Sequence, residues 1–205
     1  MHRTRSLLFS AIALALGAAI TLAPTAHATV MVEIPLEDLV RDADAIVLGT
    51  VERVGVRLQM DPDGQGMDPH TITVVRVSEW LKGSGNDLVT IYELGGVMGE
   101  MGLRIDGTPE YRPNQRVVVF LHRVDGRLRT LQMAQGAFEV LPGVPGTPSI
   151  VQRDLEAIGL ARWTEGQMSV EHGGRSAMRL DDFLAFVRAT LTNLELSGDA
   201  VGGAR

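Results

Sequence analysis

Two long β-branched stretches, each moving its apolar residues from one face to the other once, constrain this chain most. From Ala45 to Leu58 the alternation begins with Ala45, Val47, Gly49 and Val51 on one face. Past Arg53 it changes phase, and Val54, Val56 and Leu58 take over. From Thr71 to Trp80, Ile72 and Val74 share a face, and Val75 and Val77 share the opposite one. Side chains alternate along a strand with period two, so a phase change requires a bulge or burial of both faces. Two strands that behave this way predict strongly coiled strands, as in a small closed barrel.

The remaining pattern adds strands and two helices. Pro35, Glu37 and Asp38 open a short helix whose apolar face is Leu36, Leu39, Val40 and Ala43. Leu88 to Leu94 reads as a strand after the turn Lys82–Asn86. Val117 to Leu121 is an unbroken apolar run, which fits a central strand buried on both faces. Asp125-Gly126 is a hairpin signal, so Leu128 to Gln132 is expected to pair back antiparallel. Gly136 to Leu141 reads as the last barrel strand, and the proline- and glycine-rich stretch 142–148 as a surface loop. Arg153 to Leu160 reads as a short helix, and Ala161 to Met178 as irregular chain or a weak hairpin. Leu180, Phe183, Leu184, Val187, Leu191 and Leu194 recur at helical spacing, placing a C-terminal amphipathic helix at 181–193 and a disordered tail at 195–205.

The N-terminal 28 residues have the three parts of a secretory signal peptide: basic Arg3 and Arg5, an apolar run from Leu7 to Leu22, and Ala26-His27-Ala28. Cleavage there predicts a single domain over 29–194, exported to the periplasm or beyond the cell, with no later membrane span. Losing Arg3 and Arg5 takes the net charge from −6 to −8. With one lysine, Lys82, and scattered arginines, the chain lacks the concentrated basic face that nucleic acid requires. It has no cysteine, which removes disulfides, lipidation at an N-terminal Cys and Cys-type zinc sites, so burial alone must hold the fold.

Four stretches occur in an order with a counterpart elsewhere: Ala43 to Val51, Val77 to Gly83, Val89 to Ile91, and Tyr111-x-Pro113-x-Gln115-x-Val117 to Leu121. Over roughly residues 43 to 141 the chain resembles a set of uncharacterised exported bacterial proteins. The same order is similar to netrin-like domains, the barrel type of tissue inhibitors of metalloproteinases. The resemblance implies an OB-like barrel, and it draws attention to the mature N-terminus at Thr29. Netrin-like inhibitors act there through an N-terminal Cys, where this chain has Thr.

Several residues are candidates for a site. Asp61, Asp63 and Asp68 flank glycines in a string that can wrap calcium, although it lacks the closing glutamate of an EF-hand and equally suits a hairpin loop. No other cofactor is expected. The stretch Gly95 to Gly102 lacks the Lys-Ser/Thr ending of a phosphate loop and reads as a turn-rich connection, in which Met98 and Met101 can form an adaptable apolar lip. Trp80 and Tyr111 suit either stacking on a ligand or plugging the barrel. The expected function is a non-enzymatic module binding an exported protein or a small ligand. The alternative, a small metal-dependent or hydrolytic enzyme of the envelope, requires two or more of His70, His122, His172, Glu100 and Glu171 to converge in a cleft.

Overall fold

The computed structural model describes residues 29–60, 66–164 and 166–202, with side chains as far as residue 197. The expected signal peptide lies outside these residues. The fold is mainly β. Strands β2 (Ala45–Met60), β3 (Met67–Lys82), β4 (Leu88–Leu94), β8 (Arg127–Thr130) and β7 (Arg116–Val124) pair in that order, and β7 pairs back to β2. The result is a ring of five strands, the number in an OB-type barrel. All its pairings are antiparallel but one: the ring closes through the parallel contact Ile91↔Leu128 between β4 and β8.

The phase change on β2 is a bulge. Val51 pairs with Val75 and Arg53 with Val74, which leaves Glu52 as an extra residue. The bulge restores Val54 to the side of Val51, and both pack inside the barrel. On β3 the change needs no bulge at that point: adjacent Val74 and Val75 face opposite ways and both are buried. Two further irregularities skip Ser78 and Leu81, turning Leu81 away from the barrel interior, where Val77 and Trp80 pack. Gly49 sits at this twisted crossing, where a Cβ would collide with the Arg76 carbonyl oxygen.

Two cores share strand β7. Val117, Val119 and Leu121 fill the barrel with Val47, Val51, Val75, Val89 and Ile91. Val118 and Phe120 point to the other side and meet the helices α1 (Leu36–Asp42) and α2 (Leu180–Gly202). Phe120, Phe138 and Phe183 form the aromatic centre there, with centroids 4.9 to 6.3 Å apart. Lys82 fastens α1 by donating to the carbonyl oxygens of Val40 and Arg41, both at 2.9 Å. α2 continues past the expected 193 to Gly202, through part of the stretch expected to be a disordered tail, and Leu191 and Leu194 pack against the core.

The region after residue 136 differs most from expectation. β9 (Ala137–Leu141) pairs with β7 but lies outside the ring, and β10 (Ile150–Asp154) and β13 (Arg175–Arg179) extend the sheet beyond it. Arg153 is therefore in a strand, not a helix. Of the two forms expected for 161–178, the hairpin is the one found: β11 (Gly159–Thr164) and β12 (Gln167–His172) make six pairs. An N-terminal strand, β1 (Val30–Val32), joins β11 in parallel and completes a three-stranded accessory sheet. Leu160 and Met31 anchor that sheet on Leu155 and Ile158.

Candidate functional site

The glycine-rich stretch is a hairpin rather than a loose connection. Gly95 and Gly96 adopt φ of 108° and 137°, values that side-chain-bearing residues rarely reach, so the chain can turn out of β4 only with glycine there. The kink is fixed by Thr71 Oγ1, which donates to the Gly95 carbonyl at 2.8 Å, and by the Gly95 N–H, which donates to Pro69. Strands β5 (Gly96–Met98) and β6 (Met101–Leu103) follow, with Met98 opposite Met101. Val97, Met98 and Met101 are exposed.

Beneath this lip runs a groove of about 710 Å³. Val97 and Leu103 of the hairpin line it, as do Leu155 to Ile158. Tyr111, Val117, Ala137 and Phe138 also line it, with Glu110 and Glu139 as carboxylates that make no ion pair among the described residues. The segment leading out of the groove is tied to the barrel at Asn114 and Gln115, which exchange backbone hydrogen bonds with Val51. The groove thus lies beside a hairpin that carries two exposed methionines.

A polar cluster lies behind Tyr111. Its hydroxyl is 2.7 Å from Thr130 Oγ1, and the Thr130 N–H donates to Glu93 Oε1 at 2.8 Å. Burial raises the Glu93 pKa above the usual carboxylate range, and the hydrogen bonds from Thr130 and the Arg129 charge oppose that shift. Burial also raises the Tyr111 phenol, and the Glu93 charge adds to it.

Tyr111 lines this groove, Met98 and Met101 stand on the hairpin beside it without lining it, and the other candidates lie elsewhere. Tyr111 contributes its ring to the wall, but its hydroxyl is occupied. Trp80 is half-buried against the barrel core, its ring over Gly85, in the plugging role. Thr29 precedes β1, and its carbonyl accepts from the Gly159 N–H at 3.0 Å. Asp61 and Asp63 lie outside the described residues, while Asp68 is on β3. His70 is buried with Nδ1 3.2 Å from the Asp68 carbonyl oxygen, and His122 has its pKa lowered by burial, with Asp44 opposing. Glu171 pairs with Arg162 at 3.0 Å, and Glu100 stands in the β5–β6 turn. None of His70, His122, His172, Glu100 and Glu171 lines the groove.

A second surface escapes the sequence patterns. On the accessory sheet, register places Val30, Val32, Trp163, Met168 and Val170 on one side, and all five are exposed. Val30 and Val170 both lie over Gly159, so the apolar surface is continuous across the three strands. The alternation of Arg162-Trp163-Thr164 and Gln167-Met168-Ser169-Val170 around Gly166 is its signal in the sequence.

No family model matches this chain, and neither a curated protein nor a solved structure matches it significantly. Among the described residues, no helix is long and apolar enough to cross a membrane.

Proposed function

We propose that this chain is a non-enzymatic binding module of the exported compartment, holding a segment of another exported protein in the groove beneath the β5–β6 hairpin. The observation that carries this reading is the pairing of Met98 with Met101 on an exposed hairpin whose Val97 and Leu103 wall the groove. Methionine is flexible and polarizable, so a lip made of it can adapt to an apolar partner. Glu110 and Glu139 favour a partner segment carrying basic residues between its apolar ones. On this reading, residues 1–28 direct export, and the five-stranded ring supports a netrin-like origin for the barrel.

The test uses the tagged protein as bait in the exported fraction, beside a Met98→Ser/Met101→Ser variant. Both side chains are exposed, so stability is expected to change by no more than about 0.5 kcal/mol. The partner should be captured by the parent and lost with the variant. Equal recovery by both proteins would remove the groove from the reading.

A further inference from the structure

The accessory sheet is amphipathic the wrong way round for a sheet in water. Its ion-paired residues, Arg162 with Glu33 and Glu171, all lie on the side of Leu160 and Met31, which pack on the body. The outward side has a different make-up. There the register sets Val30, Gly159 and His172 in one row, Val32, Ala161 and Val170 in the next, and Trp163 beside Met168 in the last. A sheet with one solvated face normally turns its polar residues to water. In a chain with 25 acidic residues, this outward face holds no carboxylate.

We infer that this face docks on a lipid surface, with Trp163 at the level of the headgroups and the valines and Met168 against the acyl chains. Three observations select lipid over a protein partner. The five exposed apolar side chains present on the order of 500 Å², the size of a functional patch. That is short of the roughly 800 Å² per partner that a stable protein pair buries, whereas a bilayer sets no such minimum. Trp163 is the largest of the five, and tryptophan concentrates at the boundary between membrane and water. The chain preceding β1 points the same way. Residues 23–28 separate the apolar run Leu7–Leu22 from Thr29 and span at most about 20 Å. Whenever that run enters a bilayer, as the export reading of residues 1–28 requires, Val30 and Val32 are held near its surface. The attachment is apolar, so it needs no anionic lipid, which a chain of net charge −6 would repel. The groove beneath the β5–β6 hairpin takes no part in it.

Phosphatidylcholine vesicles with and without bromine on the acyl chains test the inference, using the full chain and its Trp163→Phe variant. Bromine quenches only a tryptophan that reaches the lipid. The run Leu7–Leu22 can itself attach the full chain, so the readout is tryptophan emission and not recovery of protein with the vesicles. The chain has two tryptophans, and Trp80 packs against the barrel core. The parent should therefore lose about half its emission on brominated vesicles, the share of one tryptophan in two, and Trp163→Phe should lose almost none. The quenching should persist at high salt, because no charge holds the face to the lipid. Met168→Asp puts a carboxylate beside Trp163 on the exposed face and should abolish the quenching. If that variant fails to fold by circular dichroism, the comparison of parent with Trp163→Phe still decides. Equal emission from brominated and plain vesicles, equal quenching of parent and Trp163→Phe, or quenching lost in salt would each overturn the inference. Unquenched emission together with a dimer in lipid-free buffer that Trp163→Phe breaks would give the face to a second copy instead.

Discussion

The Tyr111 hydroxyl lies 2.7 Å from Thr130 Oγ1, joining the groove wall to the barrel interior through a hydrogen bond between two buried side chains. The bond links the segment before β7 to the end of β8, elements held together otherwise by apolar packing. A tyrosine here supplies hydrophobic area and satisfies a buried hydroxyl at once.

Tyr111→Phe should therefore cost stability without changing shape. The loss is expected at about 1–2 kcal/mol, the usual cost of leaving one buried partner unsatisfied. In a chain of this size that lowers the melting temperature by roughly 3–6 °C. Thr130→Val, and both changes together, complete a double-mutant cycle measured by urea unfolding. The double variant should lose less than the sum of the singles, and strict additivity would mean that the bond contributes nothing.

Glu93 sets a pH dependence whose sign follows from its raised pKa. Folding favours the neutral acid, so its contribution is full below the unfolded-state pKa and is lost as pH rises through the folded-state value. Glu93→Gln keeps an oxygen for the Thr130 N–H and removes the charge. At pH 7 to 8 the variant should be more stable than the parent, by about 1 kcal/mol on the scale of relieving one poorly compensated buried group. Near pH 4 the difference should shrink or reverse. Thermal melts of both proteins across that range decide it, and a difference that does not change with pH would show that Glu93 ionisation is not linked to folding.

Much of the barrel is legible in the residues because its signals are local. The phase change at Arg53 marks the Glu52 bulge, and the run Val117 to Leu121 marks the strand shared by two cores. Where partners lie far apart in sequence, local pattern misleads. Arg153 to Leu160 carries helix-like spacing, yet Val151 and Gln152 pair with Val140 and Glu139, and Asp154 bonds to Arg175 on β13. Pairing and burial outweigh propensity there. The site divides in the same way. Met98, Met101 and Tyr111 can be picked out by residue type, but the hairpin that carries the two methionines reaches the groove lined by Tyr111 only through the Gly95-Gly96 kink. Glu93 follows Val89 and Ile91 on the buried side of β4, and its burial is visible only once the ring closes.

Gly49 tests whether the strand crossing is as tight as its geometry. Gly49→Ala would drive a methyl group into the Arg76 carbonyl oxygen and against Val75 Cγ1, backbone and core atoms that cannot swing aside. The expected destabilisation is about 1–3 kcal/mol, typical of overpacking. Gly55→Ala is the internal control, because nothing lies within 4 Å of a Cβ at that position on the same strand. Chemical denaturation of the two variants should separate them clearly, and similar midpoints would place the strands farther apart at Gly49 than described.

Trp163 offers a prediction of the opposite kind. It is 68% exposed and stands beside Met168 on the outer face of the accessory sheet, so folding gains little from it. Apolar faces of this continuity bind other apolar matter, whereas isolated exposed residues do not. Trp163→Ser should leave the unfolding midpoint within about 0.5 kcal/mol of the parent. It should also reduce the fluorescence of an apolar dye such as ANS, because the largest member of the exposed face is gone. Val144→Ser, at 69% exposure in the loop after β9, controls for the loss of a single exposed apolar residue away from that face. If both variants dim the dye equally, the face is not acting as one surface. If Trp163→Ser unfolds markedly earlier, the ring packs against the body more closely than its exposure allows.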